Sequence, residues 1–264
     1  MQEFLFLLGL GIAVGATGSL VGAGGGFILV PLLLLVYPGD VVVEITSVSL
    51  VVVFFTAFSG SITYAWMRRI DYRAGLAFAL AGSPTAMLGA YLSHLLPRFV
   101  FDPVMAFLMI GVAIYLIFNP KRRPATADSS TISLPGGEYR KGGLRLGCIL
   151  TSYIGILSGL AGLGGGIVQV SLLVRVLRFS PHVATATSLF VLAILAFAGM
   201  LVHVAQGRFI RQGGRPLYLA MGVMMGAQLG AKMSSHLKGT VLLRILTVIL
   251  AFVGLQLLWT SLAG

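Results

Sequence analysis

Charge is what this chain has least of. Only 9% of its 264 residues are Asp, Glu, Lys or Arg, and seven of them are acidic; a soluble domain carries about 25% charged residues. A water-facing surface cannot be made from so few, which excludes an ordinary soluble domain. Cysteine occurs once, as Cys148, so no internal disulfide can form and the chain says nothing of its redox compartment. Cys148 lies in an apolar run and reads as a packing residue. No HExxH segment, no Cys/His cluster and no pair of intramembrane carboxylates is present, so no metal site and no acid–base pair is expected. A Walker A motif is missing too, which argues against ATP coupling within the chain. The glycine cluster "GAGGG" is not G-x-G-x-x-G, because Phe27 and Ile167 stand where the last glycine would be, and it opens no βαβ unit. The chain therefore reads as neither an enzyme nor a cofactor binder.

What is present is apolar. Hydrophobic residues make up 58% of the chain, and mean hydropathy is +1.01. Runs at 4–36, 41–67, 74–96, 99–118, 144–177, 183–206, 217–237 and 240–262 reach or exceed the ~20 residues that a bilayer requires. The expected fold is all-α: a polytopic helical membrane protein. The N-terminus, "MQEFLFLLGLGIAVG", has Glu3 where a secretory signal has basic residues, so it reads as a retained first span. The formal net charge of +11 sits mostly in short connections and reports topology rather than nucleic-acid binding.

Residues 119–143 hold Lys121, Arg122, Arg123, Arg140 and Lys141 around Pro124, Pro135 and a Ser/Thr cluster, and read as a basic cytoplasmic linker. By the same rule, the connections bearing Arg68, Arg69 and Arg73, and Arg208, Arg211 and Arg215, are both expected in the cytoplasm. Parity then gives each long stretch, 4–36 and 144–177, one net crossing. The count becomes eight net spans with both termini cytoplasmic.

Each long stretch is too long for one straight crossing. About 33 residues at ~1.5 Å each reach ~50 Å, against a hydrocarbon core of ~30 Å. Each also carries a glycine cluster, Gly22–Gly26 and Gly162–Gly166. A broken element is expected: a helix, an extended glycine segment that drops back, and a half-helix from Phe27 or Ile167. A strongly tilted single helix is the alternative. Residues about 140 positions apart also match. Gly15 pairs with Gly155, Gly22 with Gly162, Gly24–Gly26 with Gly164–Gly166, then, one residue shifted, Ser49 with Ser188 and Arg69 with Arg208. The chain thus divides into a first repeat (1–118), the linker (119–143) and a second repeat (144–264). Four crossings per repeat make the repeats parallel, with their pseudo-twofold axis along the membrane normal. Interrupted segments at matching positions point to a transporter site.

These segments carry a resemblance. "GAGGGFILVPLLL" (22–34), "GLGGGIVQVSLLV" (162–174) followed by "HVATATSLF" (182–190), and the basic "RRIDYR" and "GRFIRQ" resemble the TauE/SafE sulfite exporter family over essentially the whole chain. The resemblance implies an eight-span transporter built by duplication that moves sulfur oxyanions or organosulfonates. Two positions depart from the family pattern: Ser171 replaces the proline of the second glycine element, and Val48 replaces the threonine before Ser49.

An anion leaving water needs fixed donors, and a half-helix N-terminus offers unpaired N–H groups with a partial positive charge. The expected substrate ligands are therefore Gly24, Gly25, Gly26 and Phe27 in one half, and Gly164, Gly165, Gly166 and Ile167 in the other. Neutral hydroxyls at Ser49 and Ser188, with Thr187 beside them, and the amide of Gln169 add donors that do not trap the ion. Ser47, Gln228 and Lys232 are further candidates, since a charge at bilayer centre costs ~2.5–3.5 kcal/mol and tends to be functional. Arg175 and Arg244 read as snorkelling side chains, and His203 as a packing or interfacial residue. Glycines that merely let helices pack closely, and hydroxyls bonded to their own helix carbonyls, are the plainer readings. The expected partners are a small anionic substrate and the lipid bilayer, with a coupling ion (H+ or Na+) unspecified. Alternatives are transport of another small carboxylate or metabolite, and a membrane assembly partner that transports nothing.

Overall fold

A computed structural model describes residues 2–37, 42–95, 143–175, 179–207 and 214–233, with isolated positions at 97, 100, 101, 103, 107, 110, 111, 114, 177 and 255. The elements are α1 (Gln2–Val21), α2 (Gly26–Val36), α3 (Val42–Trp66), α4 (Tyr72–Leu92) with a 3-10 turn (Ser93–Leu95), α5 (Gly143–Ala161), α6 (Gly166–Arg175), α7 (Pro181–Ala205) and α8 (Arg215–Met233). The linker 119–143 apart from Gly143, the expected spans 99–118 and 240–262 apart from isolated positions, and Arg208, Arg211 and Arg244 lie outside the described residues.

Among the described residues, five helices are long and apolar enough to cross a membrane: Phe4–Val21, Val43–Trp66, Tyr72–Leu95, Gly143–Ala161 and His182–Ala205. Their outer faces are oily. Leu76, Leu80 and Leu88 on α4, and Ile149, Tyr153 and Leu157 on α5, are exposed. The hydroxyls of Thr46, Ser49, Thr56, Thr151 and Ser188 are buried instead. Apolar outside and hydroxylated inside is the arrangement for a chain whose solvent is lipid. This is a polytopic helical membrane protein.

Helix ends follow local chemistry. Asp71 caps α4 by accepting the Ala74 N–H (3.1 Å), satisfying one of the donors that a helix start leaves open. Pro181, in the first turn of α7 after an extended Ser180, lacks only an N–H that would be unbonded there. At the end of α1, Gly22 is left-handed (φ 77°). Its N–H donates to Ser19 O (3.3 Å) and the Ala23 N–H donates to Gly18 O (2.8 Å). That pair of bonds is a Schellman motif, which favours glycine at the left-handed position.

Both long stretches are broken, as expected, but the break is not an extended segment. Gly24, Gly25, Gly164 and Gly165 also have positive φ, so the chain winds back tightly and the half-helices begin at Gly26 and Gly166. A methyl group on Gly25 would lie 2.8 Å from Val14 Cγ1, and one on Gly165 would lie 2.5 Å from Ile154 Cγ2. Leu33, near the end of α2, shares a cleft with Leu7 on α1, and a methyl on Gly147 at the start of α5 would lie 3.5 Å from Leu177 beyond α6. Each broken stretch is therefore a helical hairpin that returns toward the end of the bundle where it began. The expectation of one net crossing for 4–36 and one for 144–177 does not hold, and the count of eight net spans built on it falls with it.

The repeat orientation is corrected by the same contacts. A methyl on Gly60 of α3 would meet Leu189 of α7 (3.1 Å), whereas one on Gly199 of α7 would meet Leu50 of α3 (3.2 Å). High numbers on one helix meet low numbers on the other, so α3 and α7 are antiparallel. Matching helices that run in opposite directions are related by an axis across the bundle, not along it, so the two halves are inverted rather than parallel. The other pairings agree. The first helix of each half packs on the fourth helix of the other half, α1 on α8 and α5 on α4. Gly11, Gly15, Gly222 and Gly226 draw the α1–α8 backbones together, and Gly82, Gly155 and Gly159 do so for α4–α5.

It follows that the Arg68–Arg73 corner and the Arg215 corner lie at opposite ends of the bundle. Arg215 stacks on Tyr37 (4.0 Å) at the end where α1 starts, so these two basic corners cannot both be cytoplasmic. Nor can the N-terminus share a side with Arg68. Cysteines introduced at Gln2 and Arg68, in a Cys148→Ala background, should be labelled by an impermeant maleimide from opposite sides of oriented vesicles. Labelling of both from one side would refute the inverted arrangement.

The glycine crossing and its relatives

The two hairpin tips meet. A methyl on Gly26 would sit 2.7 Å from both Gly162 O and Leu163 O, and a methyl on Gly166 would sit 2.5 Å from Gly22 O and from Ala23 Cα. The start of each half-helix thus abuts the end of the other half's long helix. The first-turn N–H groups of both half-helices, with their partial positive charge, are thereby brought to one place.

The paired serines close this crossing. Ser49 on α3 donates to Gly162 O (2.6 Å), and Ser188 on α7 donates to Gly22 O (3.3 Å) and Gly166 O (3.4 Å). Each serine belongs to one half and holds the glycine tip of the other. Val53 wedges between the tips, 3.2 Å from a methyl on Gly24 and 2.7 Å from one on Gly164, and Leu192 also reaches Gly24 (3.4 Å). All of these residues are buried. The hydroxyl protons are thus committed to carbonyls in a fully buried crossing.

The remaining expected ligands divide sharply. Phe27 is buried in an apolar cluster with Val14, Val30 and Val52, so its ring packs and only its main-chain N–H stands near the crossing. Ile167 contributes the first turn of α6. Gln169 is buried and exchanges hydrogen bonds with Thr151 inside its own hairpin (3.1 and 3.3 Å), tying α6 to α5. The Thr187 hydroxyl accepts the Asp71 N–H (3.0 Å) and so is engaged with the α3–α4 corner rather than with a tip. Ser47 donates to Glu44 O (2.8 Å) within its helix. Gln228 and Lys232 are exposed on the outer side of α8, whose inner side is Gly222, Gly226 and Gly230 against α1, so the structure removes them from the crossing.

Sequence reasoning passed over four residues here: Gly22 and Gly162 as hydroxyl acceptors, and Val53 and Leu192 as wedges. All four sit at matching positions of the two halves, so the repeat register was the signal that marked them.

The family model described as Sulfite exporter TauE/SafE matches residues 7–257. The chain belongs to the TauE/SafE sulfite exporter family. Among its relatives is "Probable membrane transporter protein YunE" of Bacillus subtilis, 29% identical over 98% of both chains. A "Probable membrane transporter protein" of Xylella fastidiosa is 28% identical over 100% of this chain and 98% of its own. Another, from Methanocaldococcus jannaschii, is 27% identical over 97% of both. No solved structure matches the chain. Family membership and these relatives make it a membrane transporter.

Proposed function

We propose that this TauE/SafE protein is a secondary transporter, working as an exporter, for small sulfur-containing anions such as sulfite or organosulfonates, which bind where the hairpin tips cross. The observation that supports this is the reciprocal hold of Ser49 on Gly162 and Ser188 on Gly22. In the closed state each hydroxyl donates to a carbonyl. An oxyanion entering the crossing displaces those carbonyls and takes over both hydroxyl protons, together with the open N–H groups of the α2 and α6 first turns. Neutral donors match a tetrahedral anion without holding it too tightly to leave. Two inverted hairpins that meet at one point give a rocking motion a natural fulcrum, since opening one tip toward its face leaves the other closed. No covalent step is involved.

The basic corner Arg68–Arg73 shares its end of the bundle with the start of α5, which follows Arg140 and Lys141. On the positive-inside rule that end is cytoplasmic, in a bacterial inner membrane.

Flux into proteoliposomes tests the reading. Sulfite and methanesulfonate should move in a protein-dependent way, and acetate of matched size should move at least about tenfold more slowly, a difference of ~1.4 kcal/mol. Equal flux of the carboxylate would transfer the proposal to small carboxylates. No protein-dependent flux of any of these anions would leave an assembly role.

A further inference from the structure

The corner between α3 and α4 has three features that the glycine crossing does not use. The first is backbone strain. Arg68 is the one described non-glycine residue in the left-handed region (φ 54°), while the matching corner after α7 is turned by Gly207 (φ 67°). A side chain in that conformation costs about 1–2 kcal/mol, and strain of this kind tends to persist where function requires it. The second is an orphan donor. The Arg69 main-chain N–H donates to Tyr64 O (3.1 Å), but its guanidinium Nη1 is buried with no hydrogen-bond acceptor. Buried charged donors are costly to leave unmet.

The third is position. The Asp71 N–H donates to Thr187 (3.0 Å), which pins the corner to α7. Thr187 lies two residues beyond Thr185, whose methyl would be 2.8 Å from a Cβ on Gly22. Arg69 also lies within electrostatic reach of His182 in the first turn of α7. The corner and the Gly22 tip therefore rest on the same early turns of α7.

We infer that this corner is a second oxyanion site, with the Arg69 guanidinium as its charged donor, and that it takes a sulfonate or phosphate group at the end of the bundle. A guanidinium fork fits such groups by two parallel N–H bonds. The occupant is either the soluble anion on its way to the crossing or the phosphate of an anionic lipid headgroup. Both present the same tetrahedral oxygens. The site is separate from the glycine crossing, so either can fail alone.

Trp66 is almost fully exposed, two residues before Arg68, and supplies a native reporter. In a Trp259→Phe background in phosphatidylcholine nanodiscs, 2-bromoethanesulfonate should quench Trp66 saturably. Arg69→Gln should weaken that binding at least about tenfold. Arg69→Lys, which keeps the charge and loses the fork, should weaken it by an intermediate factor, and it serves as the deciding variant if Arg69→Gln does not fold. Ser49→Ala should leave the quenching curve unchanged, which separates this site from the crossing. Adding phosphatidylglycerol to the discs identifies the occupant: a weakened sulfonate affinity assigns the site to lipid phosphate, and an unchanged one assigns it to the soluble anion. Quenching that does not saturate, or that is the same in Arg69→Gln and Arg69→Lys as in the parent, overturns the inference.

Discussion

Replacing Gly166 by alanine is expected to abolish transport, by at least about 100-fold, the equivalent of ~2.7 kcal/mol. The added methyl would lie 2.5 Å from Gly22 O and from Ala23 Cα, both main-chain atoms. A flexible side chain can move aside, but a tip already wound through left-handed residues cannot. Overpacking of this kind costs about 1–3 kcal/mol, and here it forces apart the two tips whose approach builds the site. Gly26→Ala should behave alike, with its methyl 2.7 Å from Gly162 O and Leu163 O. Neither Gly26 nor Gly166 has a positive φ, so a loss at these positions reports the contact between tips and not backbone conformation. Gly9 is the control: nothing lies within 4 Å of a methyl there, and alanine in mid-helix should gain up to ~1 kcal/mol. Thermal unfolding of the purified variants, paired with flux, separates the cases. Wild-type flux in Gly166→Ala would show that the tips need not touch.

Ser49→Ala is expected to raise the KM for the transported anion about tenfold, and Ser188→Ala about threefold, each with a smaller change in kcat. The order follows from the bonds. Ser49 makes one short bond (2.6 Å), whereas Ser188 divides a longer one between two carbonyls (3.3 and 3.4 Å). Removing Ser49 leaves the buried Gly162 carbonyl without that donor, at a cost of ~1–3 kcal/mol to the closed state. It also removes a donor from the loaded state. Because the serines act on one crossing from opposite halves, the double variant should deviate from additivity. If neither alanine variant raises the KM, the hydroxyls do not touch the anion, and a lowered KM would show that they only fasten the closed state.

Much of this was legible in the sequence where chemistry leaves few options. Four glycines in five positions inside an apolar run cannot continue a helix, and the structure breaks the chain at both clusters. The pairing of Ser49 with Ser188 followed from repeat register, and each proves to hold the other half's tip. Direction was not legible. A stretch of about 33 residues fits one crossing plus a half-helix as well as it fits a hairpin, so length could not decide. Arginines mark one side of a membrane only where topology is their sole task. Arg69 has a buried guanidinium nitrogen and Arg215 stacks on Tyr37, so both have work to do besides reporting topology. The Gln169 amide, a candidate donor to the anion by sequence, is instead taken by Thr151, 18 residues upstream across the hairpin. Gln228 and Lys232 were drawn inward by their polarity, although the small residues Gly222, Gly226 and Gly230 on the same helix mark the opposite face as the packed one.

The exchange of partners between halves, α1 against α8 and α5 against α4, bears on how the protein is made. While only the first half has left the ribosome, α1 and α4 lack the surfaces that cover their glycine stripes, and the bilayer must shelter them until the second half arrives. Either half expressed alone should be cleared by membrane proteases. The two expressed together as separate polypeptides should find each other and assemble.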